Sequence, residues 1–169
     1  ILDNAMANNI KTKEELLEMP INGRKVADLL MDFTGKTGEK IELPHYDVME
    51  AACVDAYNHM GNRLATLVSF NQNGEKIEVA AHNIAKQIAA MSPISLDESC
   101  VPQEVIDHEM EINRDLVRQE GKPEEMVEKI AQGKLNKFFK ESTLLHQDYV
   151  IGSEKQSVAD YIKGVDKDL

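Results

Sequence analysis

Residues 57 to 63 read YNHMGNR, so a tyrosine, a histidine and an arginine stand around one glycine, Gly61. Histidine is a common general base and metal ligand, whereas tyrosine and arginine are types that anchor protein interfaces. Three readings of His59 are therefore open: catalysis or metal binding, a polar turn, or a protruding tip gripped by another macromolecule. Other stretches carry less. TGKTGEK at 34 to 40 contains a Gly-Lys-Thr, but a phosphate loop needs a glycine five residues ahead of the Gly-Lys pair, a strand before it and a helix after it. Position 30 is Leu and the flanking order is reversed. His108-Glu109 in DHEME has no second histidine four residues after the first, which removes a zincin site. His45, His82 and His146 are isolated in sequence, and no Ser, His and Asp set stands out. The expectation is a protein with no catalytic residue, no metal and no cofactor.

The elements that would position such a tip fit one ordinary domain, or a domain with a small appendage, in 169 residues. Hydrophobic content of 42% against 29% charged residues is that of a soluble globular chain. A net charge of −11 argues against nucleic acid or an anionic membrane as partner, since both call for a concentrated basic face. Cys53 and Cys100 form no CxxC pair, which suits a reducing, cytoplasmic setting. No apolar run approaches the roughly 20 residues of a membrane span. The opening ILDNAMANN is no signal peptide and reads as part of an amphipathic helix, so the chain is expected to be cut from a longer protein.

Along the chain, TKEELLEMP places Thr12 as N-cap and Glu15 as the other half of a capping box, with Pro20 as the stop. Val26, Leu29, Leu30 and Phe33 predict a helix over 24–34 that the glycines of TGKTGEK break. Residues 47–58 fit a helix or a strand. RLATLVSF is a strand, with Leu64, Thr66, Val68 and Phe70 on the better face, and if 47–58 is also a strand then HMGN is the hairpin turn in which Gly61 takes a positive φ. Ile77, Ala81, Ile84, Ile88 and Met91 mark a helix of about four turns. Two polar helices follow, 102–119 with a seam of Val105, Ile112 and Leu116, and 123–140 with Val127, Ile130, Ala131 and Phe138. Gly121 and Pro123 at their join predict an antiparallel helical hairpin that projects from the core. YVIG at 149–152 is a short strand candidate, and SVADYIKG a last helix closed by Gly164.

In this order AYNHMGNRLATLVSF, AAHNIAKQIAAMSP, VPQEVIDHEMEINRD and the run from EGKPEE through IAQGKLNKF to DYV resemble the second half of translation elongation factor Ts. The Gly-Glu of GEK at 38–40 is similar to a family element too, and the likeness spans about residues 35 to 165. The resemblance implies an α+β fold: a small antiparallel sheet packed with helices, with residues 1–44 finishing the first half of the core, 45–98 and 141–169 forming the second half, and a coiled-coil helical hairpin inserted over 99–140. It implies that 47–58 is a strand. It also implies a guanine-nucleotide exchange factor, without bond-making chemistry, that binds elongation factor Tu and promotes GDP release in translation. Partner-binding residues carried over are Tyr57, Asn58, His59, Met60, Gly61 and Arg63. The family's Thr-Asp-Phe-Val-Ala segment and its N-terminal module are absent from these residues, Ala65 stands where Gly is usual, and the family continues into a further core strand beyond Leu169. The chain alone is thus expected to bind with little exchange activity. Two other readings stay open: a scaffold or homodimerisation module working through an exposed sheet edge and the hairpin seam, and a small nucleotide-binding enzyme that holds phosphate at GKTGEK.

Overall fold

The computed structural model describes residues 1–169, which form two compact units, 1–49 and 50–169. In the first unit α1 (Leu2–Ala7) and α2 (Lys13–Glu18) are followed by a minimal ribbon of β1 (Pro20–Ile21) and β2 (Arg24–Lys25), then α3 (Val26–Thr37). The capping box of α2 forms as the sequence predicts: the Glu15 amide donates to Thr12 Oγ1 at 3.2 Å and the Thr12 amide donates to the Glu15 carboxylate at 3.1 Å. The Lys11 amide, donating to the same carboxylate at 2.9 Å, and then the Thr12 amide hold the Glu15 carboxyl below its usual range. The ribbon went unread in the sequence, although Asn22-Gly23, both at positive φ, is the preferred dipeptide of a two-residue hairpin turn. Helix α3 also outlasts its expected end: Gly35 lies inside it, and only Gly38, left-handed at φ 72°, stops it. Ala5, Leu16, Met19 and Val26 form the core of this unit, with Leu30, Leu43 and Tyr46 against it.

The second unit is built on an antiparallel pair, β3 (Cys53–Asn58) and β4 (Ala65–Phe70), in the register Cys53 to Phe70, Asp55 to Val68 and Tyr57 to Thr66. Those six residues share the face covered by α4 (Glu75–Met91), whose Ile77, Ala81 and Ile84 are buried with Cys53 and Phe70. The fold is therefore α+β, with two separate two-stranded sheets. Strand β3 begins later than 47 because its ladder runs out at Phe70, after which the chain turns through Asn71–Gly74 into α4.

Two longer helices follow, α5 (Gln103–Gln119) and α6 (Glu124–Ser142), and they pack on each other around Met110, Ala131 and Leu135. Arg114 pairs with Glu128, Arg118 with Glu124 and Lys134 with Glu120 along their flanks. The chain leaves for α5 and returns from α6 through neighbouring segments, with Ile94 N bonded to Ser142 O and Leu144 N to Ser95 O. The expected α5 seam is corrected: Ile112 and Leu116 are exposed, and the buried stripe is Met110, Asn113 and Val117. A polar residue in mid-seam hid that stripe, and its Nδ2 finds no partner.

Helix α7 (Val158–Val165) closes the unit, running through Gly164 to a cap at Asp166. YVIG is no strand. Backbone pairing there is limited to a bridge of Asp148 with Ser157 and the Tyr149 amide on the Gln156 carbonyl at 2.9 Å, while buried Gln87 of α4 accepts from the Val150 amide at 2.9 Å and donates to the Asp148 carbonyl at 3.1 Å. Tyr149 itself stacks on Tyr161, ring centres 4.1 Å apart.

Two outcomes test this packing. Replacing Gln87→Leu strands both bonds and is expected to cost about 1–3 kcal/mol in urea unfolding. Burial first, then the neighbouring Tyr161 phenol, pushes the Tyr149 phenol well above its ordinary value. A phenol raised in the folded state keeps its proton after the unfolded chain has lost it, so this contribution is intact below pH about 10 and falls as pH rises above that. Alkaline titration of phenolate absorbance should therefore show a fraction that appears only with unfolding, and Tyr149→Phe should remove it.

Candidate functional site

The far end of the β3–β4 ribbon is where the sequence concentrates its candidate site residues, 57 to 63. Strand β3 ends at Asn58 and β4 starts at Ala65, and the loop between them is closed by His59 N to Leu64 O at 2.9 Å. Within it Asn62 N donates to His59 O at 3.1 Å, which makes His59 to Asn62 a turn with Gly61 third. Gly61 has φ 82° and Asn62 φ 54°, so two successive left-handed residues reverse the chain. The Asn58 side-chain amide bridges to Asn62 Oδ1 at 2.8 Å and ties the two sides of the loop.

The six candidate residues are thus brought to one tip. Tyr57 is half-buried, and its phenol lies 3.0 Å from His59 Nδ1. Met60 is 88% exposed, an apolar side chain held in water at the apex. Arg63 is exposed and makes no side-chain bond, which leaves its guanidinium donors unused. Apolar, aromatic and cationic groups side by side, with the Met60 side chain and the Arg63 guanidinium unengaged, suit a macromolecular contact.

Sequence reasoning missed two further residues where α4 covers the same ribbon. Asp55 sits two residues before Tyr57 on β3, and its carboxylate is 3.0 Å from His82 Nδ1 on α4. The His82 ring stands edge to face with Tyr57, centres 6.1 Å apart at 78°. The alternation of β3 put Asp55 on Tyr57's side, but nothing local pointed to His82. Beside them Thr66, opposite Tyr57, donates its hydroxyl to the Ala85 carbonyl at 2.8 Å and pins the tip end of β4 to α4.

Chemistry of other kinds finds little here. No group of three or more His, Cys, Asp or Glu side chains could hold a metal. The Cys53 thiol is pushed up by burial and then by the Glu78 and Asp55 carboxylates, which disfavours the nucleophilic thiolate. The Gly-Lys-Thr of residues 35–37 occupies the last turn of α3, where carbonyl oxygens gather and phosphate is repelled. No helix is long and apolar enough to cross a membrane.

Gly61 has open space around it, so a side chain there meets strain and not a clash. Gly61→Val should therefore raise amide exchange at residues 58–64 and cost about 1–2 kcal/mol, while Gly61→Asn, a residue that tolerates left-handed backbone, should cost less.

Comparison with known proteins adds a family. The family described as Elongation factor TS matches residues 1–169. Similar curated proteins include elongation factor Ts of Flavobacterium psychrophilum, 47% identical over 97% of this chain and 60% of that protein. Elongation factor Ts of Christiangramia forsetii is 48% identical over 95% of the chain and 58% of its own length. That of Porphyromonas gingivalis is 42% identical over 100% and 61%. The chain spans about 60% of the length of these relatives.

Proposed function

The chain belongs to the elongation factor Ts family, and from that membership we propose that it serves translation elongation in the cytoplasm by binding elongation factor Tu and promoting release of GDP. The observation that supports a docking role is the tip, where His59, exposed Met60 and unpaired Arg63 stand beyond the last ladder pair, Asn58 to Ala65, with the Tyr57 phenol bonded to His59 beside them. No bond is made or broken in such a function. An exchange factor acts by differential affinity: it favours the partner conformation that holds nucleotide poorly, and linkage then makes factor and GDP weaken each other by the same ratio. A rigid tip suits that task, because binding energy is not lost in ordering it.

Docking and release are separable steps. The tip is assigned to the docking step. In a titration into GDP-bound elongation factor Tu carrying a fluorescent nucleotide, the chain is expected to bind while releasing GDP slowly. His59→Ala should weaken binding about tenfold, the scale of an interface hot spot. Equal binding by both versions would remove the tip from the interface.

One observation favours a second reading. The outer face of the ribbon leaves Val54 and Leu67 40% and 46% exposed, beside Ala56 and Ala65. A homodimer formed there would show as concentration-dependent mass in sedimentation, lost on Leu67→Lys, with no affinity for elongation factor Tu.

A further inference from the structure

The covered face of the ribbon carries an arrangement that burial alone does not explain. Asp55 and His82 lie where an apolar pair would pack β3 on α4 better, and their side chains are still 29% and 45% exposed. An ion pair so open to water contributes little to stability. Its neighbours suggest a different use. The His82 ring, held by its Nδ1 to Asp55 Oδ2, stands against the Tyr57 ring, and the Tyr57 phenol meets His59 Nδ1. Four side chains thus run in sequence from α4 to the tip: Asp55, His82, Tyr57, His59.

We propose that Asp55 and His82 are positioning residues that fix the Tyr57 ring, and through its phenol the orientation and tautomer of His59. The donor roles follow from the partners. A carboxylate only accepts, so His82 carries a proton on Nδ1 and donates it to Asp55. With that nitrogen tied, the ring cannot turn away and blocks rotation of Tyr57 on that side. The phenol in place donates to the bare Nδ1 of a neutral His59, whose proton then sits on Nε2 and faces away from Tyr57. The tip accordingly presents one N–H donor, and the group it recognises on a partner is a hydrogen-bond acceptor, a carbonyl or carboxylate oxygen. Without His82 the phenol swings free, and His59 samples orientations in which that donor points elsewhere.

The value to a partner of this last step rests on the docking role of the tip, whereas the positioning itself is readable in the free chain. The test therefore has two arms. In the first, the ring nitrogen resonances of His59 are recorded at pH about 8, where an ordinary imidazole is neutral. Tyr57→Phe marks the position of Nδ1 without its phenol, and His82→Ala is expected to move Nδ1 most of the way to that position. His82→Ala should also shift the thermal midpoint by no more than about 3 °C, as befits a half-exposed pair. An unmoved His59 Nδ1 in His82→Ala overturns the proposal.

In the second arm the same variants are titrated into elongation factor Tu. His82→Ala should weaken binding roughly threefold to tenfold, with no further loss when it is added to Tyr57→Phe, because the two act through one chain of contacts. Additive losses overturn the proposal. His59→Gln, which keeps a donor near the Nε2 position, should bind better than His59→Asn, which does not. If Nδ1 moves as expected but no variant, His59→Ala included, changes binding, the positioning stands and the docking role of the tip falls.

Discussion

A two-stranded antiparallel ribbon is marginal in water when it stands alone. The pair β3–β4 has no third strand beside it, so its persistence depends on the one helix laid across its inner face. Helix α4 supplies Ile77, Ala81 and Ile84 to that contact, and each of the two isoleucines buried there stabilises the unit by about 1.5–3 kcal/mol. Helix α4 also reaches in the other direction, where Gln87 takes the backbone groups of Asp148 and Val150. The ribbon on one side and the closing segment on the other are therefore referenced to the same rod, and the tip inherits its rigidity from that rod.

How far the sequence disclosed this follows from which signals are local. The capping box of α2, the stripe of α4 and the alternation of β4 involve neighbours three or four residues apart, or two, and each could be read directly. The α5 seam was misplaced because its central position is Asn113, and a pattern of apolar residues cannot reveal a stripe with a polar residue in it. The 149–152 segment looked like a strand for a sound reason, since its residues favour extended backbone. What the sequence concealed was that backbone pairing would stop at a single bridge to residues 156–157, with the side chain of Gln87 on α4 taking the next amide, that of Val150. The missed β1–β2 ribbon is different in kind: Asn22-Gly23 was visible and simply outweighed by the longer helices around it.

The candidate site divides along the same line. Tyr57, His59, Met60, Gly61 and Arg63 lie within seven residues; their types left a contact surface as one of three readings, which the family resemblance selected, and the positive φ of Gly61 followed from turn chemistry. Asp55 and His82 are 27 residues apart in sequence and meet only because α4 crosses the ribbon at one particular rotation. Residues close together in sequence can be grouped by type, whereas a pair such as Asp55 and His82 is found only by geometry.

The stem at which the chain leaves for α5 and returns from α6 carries a further consequence for how the molecule comes apart. Hydrogen bonds from Ile94, Leu144 and Leu145 seal that stem, and beyond it Met110, Ala131 and Leu135 make a small interior of their own. An excursion with its own interior and a sealed base behaves as a separate foldon: it can melt locally while the bonds at its base keep the β3–β4 ribbon and α4 intact. Free energy stored in α5 and α6 is thus largely insulated from the tip. Fluctuations of the long helices, and changes to their length or surface charge, reach the ribbon only through that narrow base.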